Sequence, residues 1–114
     1  MPLTDDELVE HIVDHLSEEQ PGSLAELSDA EVERRIRLGI ARARAHGFSE
    51  PEATAAFVTL MFLVSPCFDR HANIAAALAA TTGAQQERLR TLFQRTLEED
   101  WDAAATQGGW DQLA

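Results

Sequence analysis

The sequence predicts an all-α fold, a small antiparallel bundle of about five helices placed at residues 5–19, 29–46, 50–64, 72–80 and 83–106. Three observations carry this. Ser/Thr-x-x-Glu capping signals recur along the chain, and each is followed by apolar residues at helical spacing. No run alternates apolar and polar residues between turns, so no strand is expected. The connections are short and no internal repeat is present, which favours antiparallel neighbours in one domain over residues 1–114.

Thr4-Asp5-Asp6-Glu7 has the form of a capping box, with Thr4 as N-cap and Glu7 at the third helical position. Leu8, Val9, Ile12, Val13 and Leu16 then form one apolar stripe, and Pro21-Gly22 stops the helix. Leu24 and Leu27 are expected to pack down from the connector. Ser28-Asp29-Ala30-Glu31 opens the second helix, whose core face carries Val32, Ile36, Ile40 and Ala43. Glu31–Arg35 and Glu33–Arg37 are i,i+4 pairs in the favourable order. Gly39, an unfavourable residue inside a helix, predicts a close helix crossing there. His46-Gly47-Phe48 reads as a glycine C-cap followed by a hydrophobic residue.

Ser49-Glu50-Pro51-Glu52 opens the third helix with Pro51 in the first turn, where its missing N–H does no harm. Ala53, Phe57, Leu60, Met61 and Val64 define one face, and Ala56, Phe62 and Leu63 cover much of the rest. Such a helix is central, or keeps a face for a partner. Pro66 ends it. Residues 65–73 read as a loop anchored by Phe68, with Asp69 placed to cap a short helix carrying Ile74 and Leu78. Thr82-Gly83-Ala84-Gln85 opens the last helix, with an apolar stripe of Leu89, Leu92, Phe93, Leu97, Trp101 and Ala104. Gly108-Gly109 ends it, and residues 108–114 form a flexible or docking tail.

Twenty acids against nine bases, every base an arginine, give a net charge of −11. That surface repels phosphate, which argues against nucleic-acid and anionic-membrane partners. Cys67 stands alone, so no internal disulfide can form. The start, MPLTDDELVE, lacks the pattern of a signal peptide, and the 12-residue apolar run from Ala53 to Val64 is too short to span a bilayer. The expected location is the cytoplasm. Nothing in the residues excludes self-association.

Few constellations point to chemistry. His11 and His15 have the i,i+4 spacing of two metal ligands, but the segment reads HIVDH and lacks the third ligand and the base of a zinc helix. Cys67 with His71 nearby lacks a glycine-rich oxyanion turn. No phosphate loop or dinucleotide fingerprint is present. No enzyme activity, metal or cofactor is therefore predicted. The arginines at 34, 35, 37, 42 and 44 form the one positive region. Glu98, Glu99, Asp100 and Asp102 fall near the end of the last helix, where the dipole disfavours anions. Trp101 lies among them, and Trp110 follows the Gly-Gly step. These two tryptophans are either core or interface anchors.

The order IRLGIARARAHGF, then an acidic capped turn, then FVTLMFLVSPCFD and HANIAAAL resembles small helical proteins encoded beside type VI secretion spike-tip and effector genes. The matching positions are Gly39, Ile40, Gly47, Phe48, Phe57, Val58, Leu60, Met61, Phe62, Phe68 and Asp69. Ser65-Pro66 departs from the glycine-containing step expected before Phe68. The resemblance covers residues 36–78 and brings no catalytic residues. It implies a non-enzymatic accessory protein, an adaptor or chaperone for a secreted effector or spike component. An immunity protein neutralising a basic toxin is the runner-up, and a small metal- or thiol-dependent enzyme the third reading. The expected partner-binding residues are Phe62, Phe68, Asp69, Trp101 and Trp110.

Overall fold

A computed structural model describes residues 4–80, 83–106 and 109–110, without the side chains of Ser23 and Gln86. The fold is all-α. Among the described residues there are six α-helices and no strand: α1 (Asp5–Glu19), α2 (Asp29–Ala45), α3 (Pro51–Leu63), α4 (Ala72–Ala80), α5 (Gln85–Arg95) and α6 (Glu98–Ala104). No helix among these residues is long and apolar enough to cross a membrane. The chain gathers into two compact units, Met1–Thr59 and Leu60–Ala114. The division falls inside α3.

In the first unit the predicted Thr4 capping box is present in both directions. Glu7 N–H donates to Thr4 Oγ1, and Thr4 N–H donates to Glu7 Oε1, each at 3.2 Å. The buried residues of α1 are Leu8, Val9, Ile12 and Leu16, while Val13 is only half-buried. Helix α2 buries Val32, Ile36, Gly39, Ile40 and Ala43 and packs against α1. The two run antiparallel: Asp5 at the start of α1 pairs with Arg44 near the end of α2, and Asp6 with Arg37, each at 2.6 Å.

The second capping box is only half made. Ser28 Oγ accepts from Glu31 N–H at 3.1 Å, but the Glu31 carboxylate turns forward to Arg34 and Arg35, at 2.7 and 2.9 Å. Two charge-assisted bonds outcompete one backbone N–H. Hydrogen bonds first from Arg34 and then from Arg35 pull the Glu31 pKa from 4.5 to about 2. A depressed folded-state pKa contributes stability that is complete above 4.5 and lost as pH falls from there toward 2. Carboxyl 13C NMR should give Glu31 a midpoint near 2, and Glu31→Gln should flatten the stability profile across that window. An ordinary glutamate midpoint would mean that the two arginines do not hold the carboxylate in solution.

Helix α2 ends as predicted, in a complete Schellman motif. Gly47 adopts φ 87°, its N–H donates to the Arg44 carbonyl, and Phe48 N–H donates to the Ala43 carbonyl, both at 2.9 Å. Phe48 is fully buried, and its ring centroid lies 5.6 Å from that of Phe57 on α3. His46 meets the same ring at 5.6 Å. A Cβ at Gly47 would be forced into left-handed backbone, so Gly47→Ala should cost about 1–2 kcal/mol in urea unfolding. An unchanged midpoint would show that the motif contributes nothing.

Helix α3 starts with the Glu50 carbonyl accepting from Thr54 N–H at 2.9 Å, which places Pro51 at the first helical position. It buries more of its circumference than the predicted face. Ala53, Phe57 and Met61 are joined by Thr54, Ala55 and Val58, whereas Leu60 and Val64 are half-buried. The Thr59 hydroxyl is satisfied by its own helix, donating to the Ala55 carbonyl at 2.7 Å.

In the second unit, Ser65–Asp69 is buried throughout and passes into a 3-10 turn at Phe68–Arg70. Helix α4 follows, with the His71 carbonyl accepting its first bond, from Ala75 N–H at 2.8 Å. It packs against the 3-10 turn and against α5, and α6 packs against the same turn. The N-cap of α5 is Ala84, which offers no side-chain bond. Thr82 and Gly108, expected at the two ends of the last helix, lie outside the described residues, as do residues 111–114.

The predicted helix over 83–106 is two helices. Thr96 and Leu97 are extended, with φ/ψ of −117°/159° and −107°/158°. The break is held by side chains. Thr96 Oγ1 donates to the Leu92 carbonyl at 2.8 Å and accepts from Trp101 Nε1 at 2.9 Å. Asp100 Oδ2 accepts from Leu97 N–H at 2.9 Å, and Asp100 Oδ1 accepts from Asn73 Nδ2 at 2.7 Å. Leu92, Leu89 and Ala104 stay buried, but Phe93 and Leu97 leave the predicted stripe for solvent. The acids are corrected by the same break. Glu98, Glu99 and Asp100 form the first turn of α6, where the dipole favours them.

Candidate functional site

The five residues expected to bind a partner all lie in the second unit, and the four aromatic ones fall in two ring clusters. In the first, Phe62 on α3 meets Trp110, with ring centroids 4.9 Å apart, and both are half-buried. The Gly109 carbonyl before Trp110 lies 4.0 Å from the Cys67 sulfur, a weak S–H donor. Trp110 is therefore seated on the unit rather than carried on a free tail.

In the second cluster, Trp101 lies between a core ring and a surface ring. Its centroid is 5.6 Å from that of Phe68, stacked at 29°, and 5.4 Å from that of Phe93. Its indole N–H is satisfied internally by Thr96, so the ring is fixed in orientation. Phe68 is 0% exposed and Asp69 4%. Neither is presented to solvent, in keeping with Phe68 as the anchor of its segment. The step Ser65-Pro66-Cys67-Phe68 is interior, and the 3-10 turn that Phe68 opens packs against α4 and α6.

Three large hydrophobic residues stand out to solvent, and the helical spacing places two of them, Phe93 and Leu97, on the apolar stripe. Leu63 is 49% exposed, Phe93 51% and Leu97 64%. All belong to the second unit. Leu97 also borders an open depression floored by Ala76, Ala77 and Ala80 of α4. Leu63 closes α3 and Leu97 lies in the α5/α6 break, while Phe93 turns outward from α5 itself. A helix-period reading carried straight through residues 83–106 cannot see that break.

The residues weighed for chemistry do not assemble. Among the described residues no three of His, Cys, Asp or Glu come close enough to share a metal ion. His11 is exposed and His15 half-buried on α1. Cys67 is wholly buried. Asp100 lies near His71, and its pKa is lowered chiefly by the Asn73 hydrogen bond, then by Leu97 N–H. Both bonds are structural. Comparison with family models, curated proteins and solved structures finds no match for this chain.

Proposed function

We propose that the protein is a non-enzymatic accessory protein that binds another protein through its second unit. The observation that carries this is the exposure of Leu63, Phe93 and Leu97 in one unit, beside the half-buried rings of Trp101, Phe62 and Trp110. Exposed apolar groups beside fixed aromatic rings have the composition of an interface core. Trp101 gives rigid contact area, and Phe93 and Leu97 give the desolvation that drives association. The acidic surround steers a partner of opposite charge.

The resemblance over residues 36–78 supports the finer reading: an adaptor or chaperone, acting in the cytoplasm, for a type VI secretion effector or spike component. Co-expression with the products of neighbouring genes, followed by affinity capture, tests it. The expected result is a stable complex with an effector or spike component, carried by a non-catalytic segment, and a higher effector yield. Phe93→Ser with Leu97→Ser should weaken that complex at least about tenfold while leaving the helical circular dichroism unchanged. Capture unaffected by the double variant would remove the surface from the reading. Loss of effector toxicity on co-expression, without any gain in yield, would replace the adaptor by an immunity protein.

A further inference from the structure

The first unit carries a second surface of different character. Along one side of the α1/α2 pair runs a groove of about 460 Å³. Its apolar lining is Val9 and Val13 from α1 and Val32 from α2. Val9 and Val32 are buried, at 6% and 7% exposure, and Val13 stays half-exposed. Leu8, Val9, Ile12 and Leu16 are buried, so of the α1 stripe only Val13 is half-exposed at the groove.

Four carboxylates edge this lining, from Asp6 and Glu10 on α1 and from Asp29 and Glu33 on α2, against the single guanidinium of Arg37. Arg37 is already shared between Asp6 at 2.6 Å and Glu33 at 2.8 Å. Glu10 and Asp29 are exposed and make no ion pair among the described residues. The groove therefore joins a valine lining to a rim that is three charges short of neutral.

We propose that this groove docks a cationic amphipathic helix of another protein, with an aliphatic residue on Val13 and Lys or Arg on the two acidic rims. The rims belong to antiparallel helices, so the space beside them suits a third helix packed ridge into groove. From Asp6 to Val13 the α1 rim rises by about 10 Å, the length of two helical turns. A second copy of this chain is the wrong occupant. It presents the same −11 surface, and Arg34, Arg35, Arg37 and Arg44 are already bonded to Glu31, Glu33, Asp6 and Asp5. The surface lies in the first unit and does not rest on the reading of the second unit's aromatic rings.

The test uses the full chain and a fluorescein-labelled peptide of about 18 residues, leucine on one face and lysine on the other, read by anisotropy. Binding is expected, weakening severalfold as salt rises from about 0.05 to 0.3 M. Glu10→Lys with Asp29→Lys should weaken it about tenfold or more with helicity intact, and Val13→Asn should weaken it severalfold. The charge-matched control Glu18→Lys with Glu19→Lys, outside the groove, should stay within roughly twofold of the parent. Three results would each overturn the proposal: no binding by the parent chain, equal loss in the control, or equally tight binding of a peptide with serine replacing leucine. The last two would reduce the interaction to general attraction between a cation and an acidic protein.

Discussion

Phe68→Ala is expected to destabilise the protein by about 3–5 kcal/mol, the usual cost of truncating a wholly buried phenylalanine. Phe68 is 0% exposed and its ring stacks on Trp101. Deleting it removes the apolar contact area and leaves a cavity beneath α6. With 5–15 kcal/mol typical of a whole domain, the loss takes a large share of the total stability. Chemical denaturation should show a much lower midpoint, with loss of the near-ultraviolet tryptophan signal from Trp101. A change below about 1 kcal/mol would mean that Phe68 is not the core ring the fold requires. The consequence for function is practical. A Phe68 variant that fails to capture a partner reports on folding, whereas Phe93 and Leu97 variants report on the surface.

Much of this was legible in the residues. Thr4 and Glu7 mark the start of α1, Pro51 the start of α3, and Gly47 with Phe48 the end of α2, because each signal is a local bond that the chain can satisfy by itself. The apolar faces of α1 and α2 followed from spacing alone. The second unit was harder, for one physical reason. The α5/α6 break depends on Asn73, Thr96, Asp100 and Trp101 finding one another, and the Asn73–Asp100 bond spans 27 positions of sequence. Read as an uninterrupted helix, residues 83–106 put Phe93 and Leu97 inside and the acids at an unfavourable end. Both impressions vanish once Leu97 is extended. The apparent violation at Glu98–Asp102 was the trace of a helix boundary. Phe68 was legible as the anchor of residues 65–73, and it is wholly buried.

Removing that boundary should undo the candidate surface without touching any exposed apolar residue. Asp100→Ala takes the acceptor from Leu97 N–H and from Asn73 Nδ2 together, at a residue only 8% exposed. Two donors then lack their charged acceptor, and a fall in Tm of roughly 5–10 °C is expected. Asp100→Asn tests the charge separately, because its amide can accept one of the two bonds but must face the other donor with a second N–H. It should therefore fail to restore the parent. The same bonds set a pH window. Asn73 first, and Leu97 N–H second, hold the Asp100 pKa below its ordinary value of 3.8. The contribution of Asp100 to stability is thus complete above 3.8 and fades as pH falls through the lower folded value. The alanine variant should lose that acid-limb dependence. If Asp100→Ala keeps the parent Tm and captures partner equally well, the Asn73–Asp100–Leu97 connection does not position Trp101 and Phe93. If capture falls while Phe93 and Leu97 remain in place, recognition depends on how the break orients the rings as well as on their apolar area.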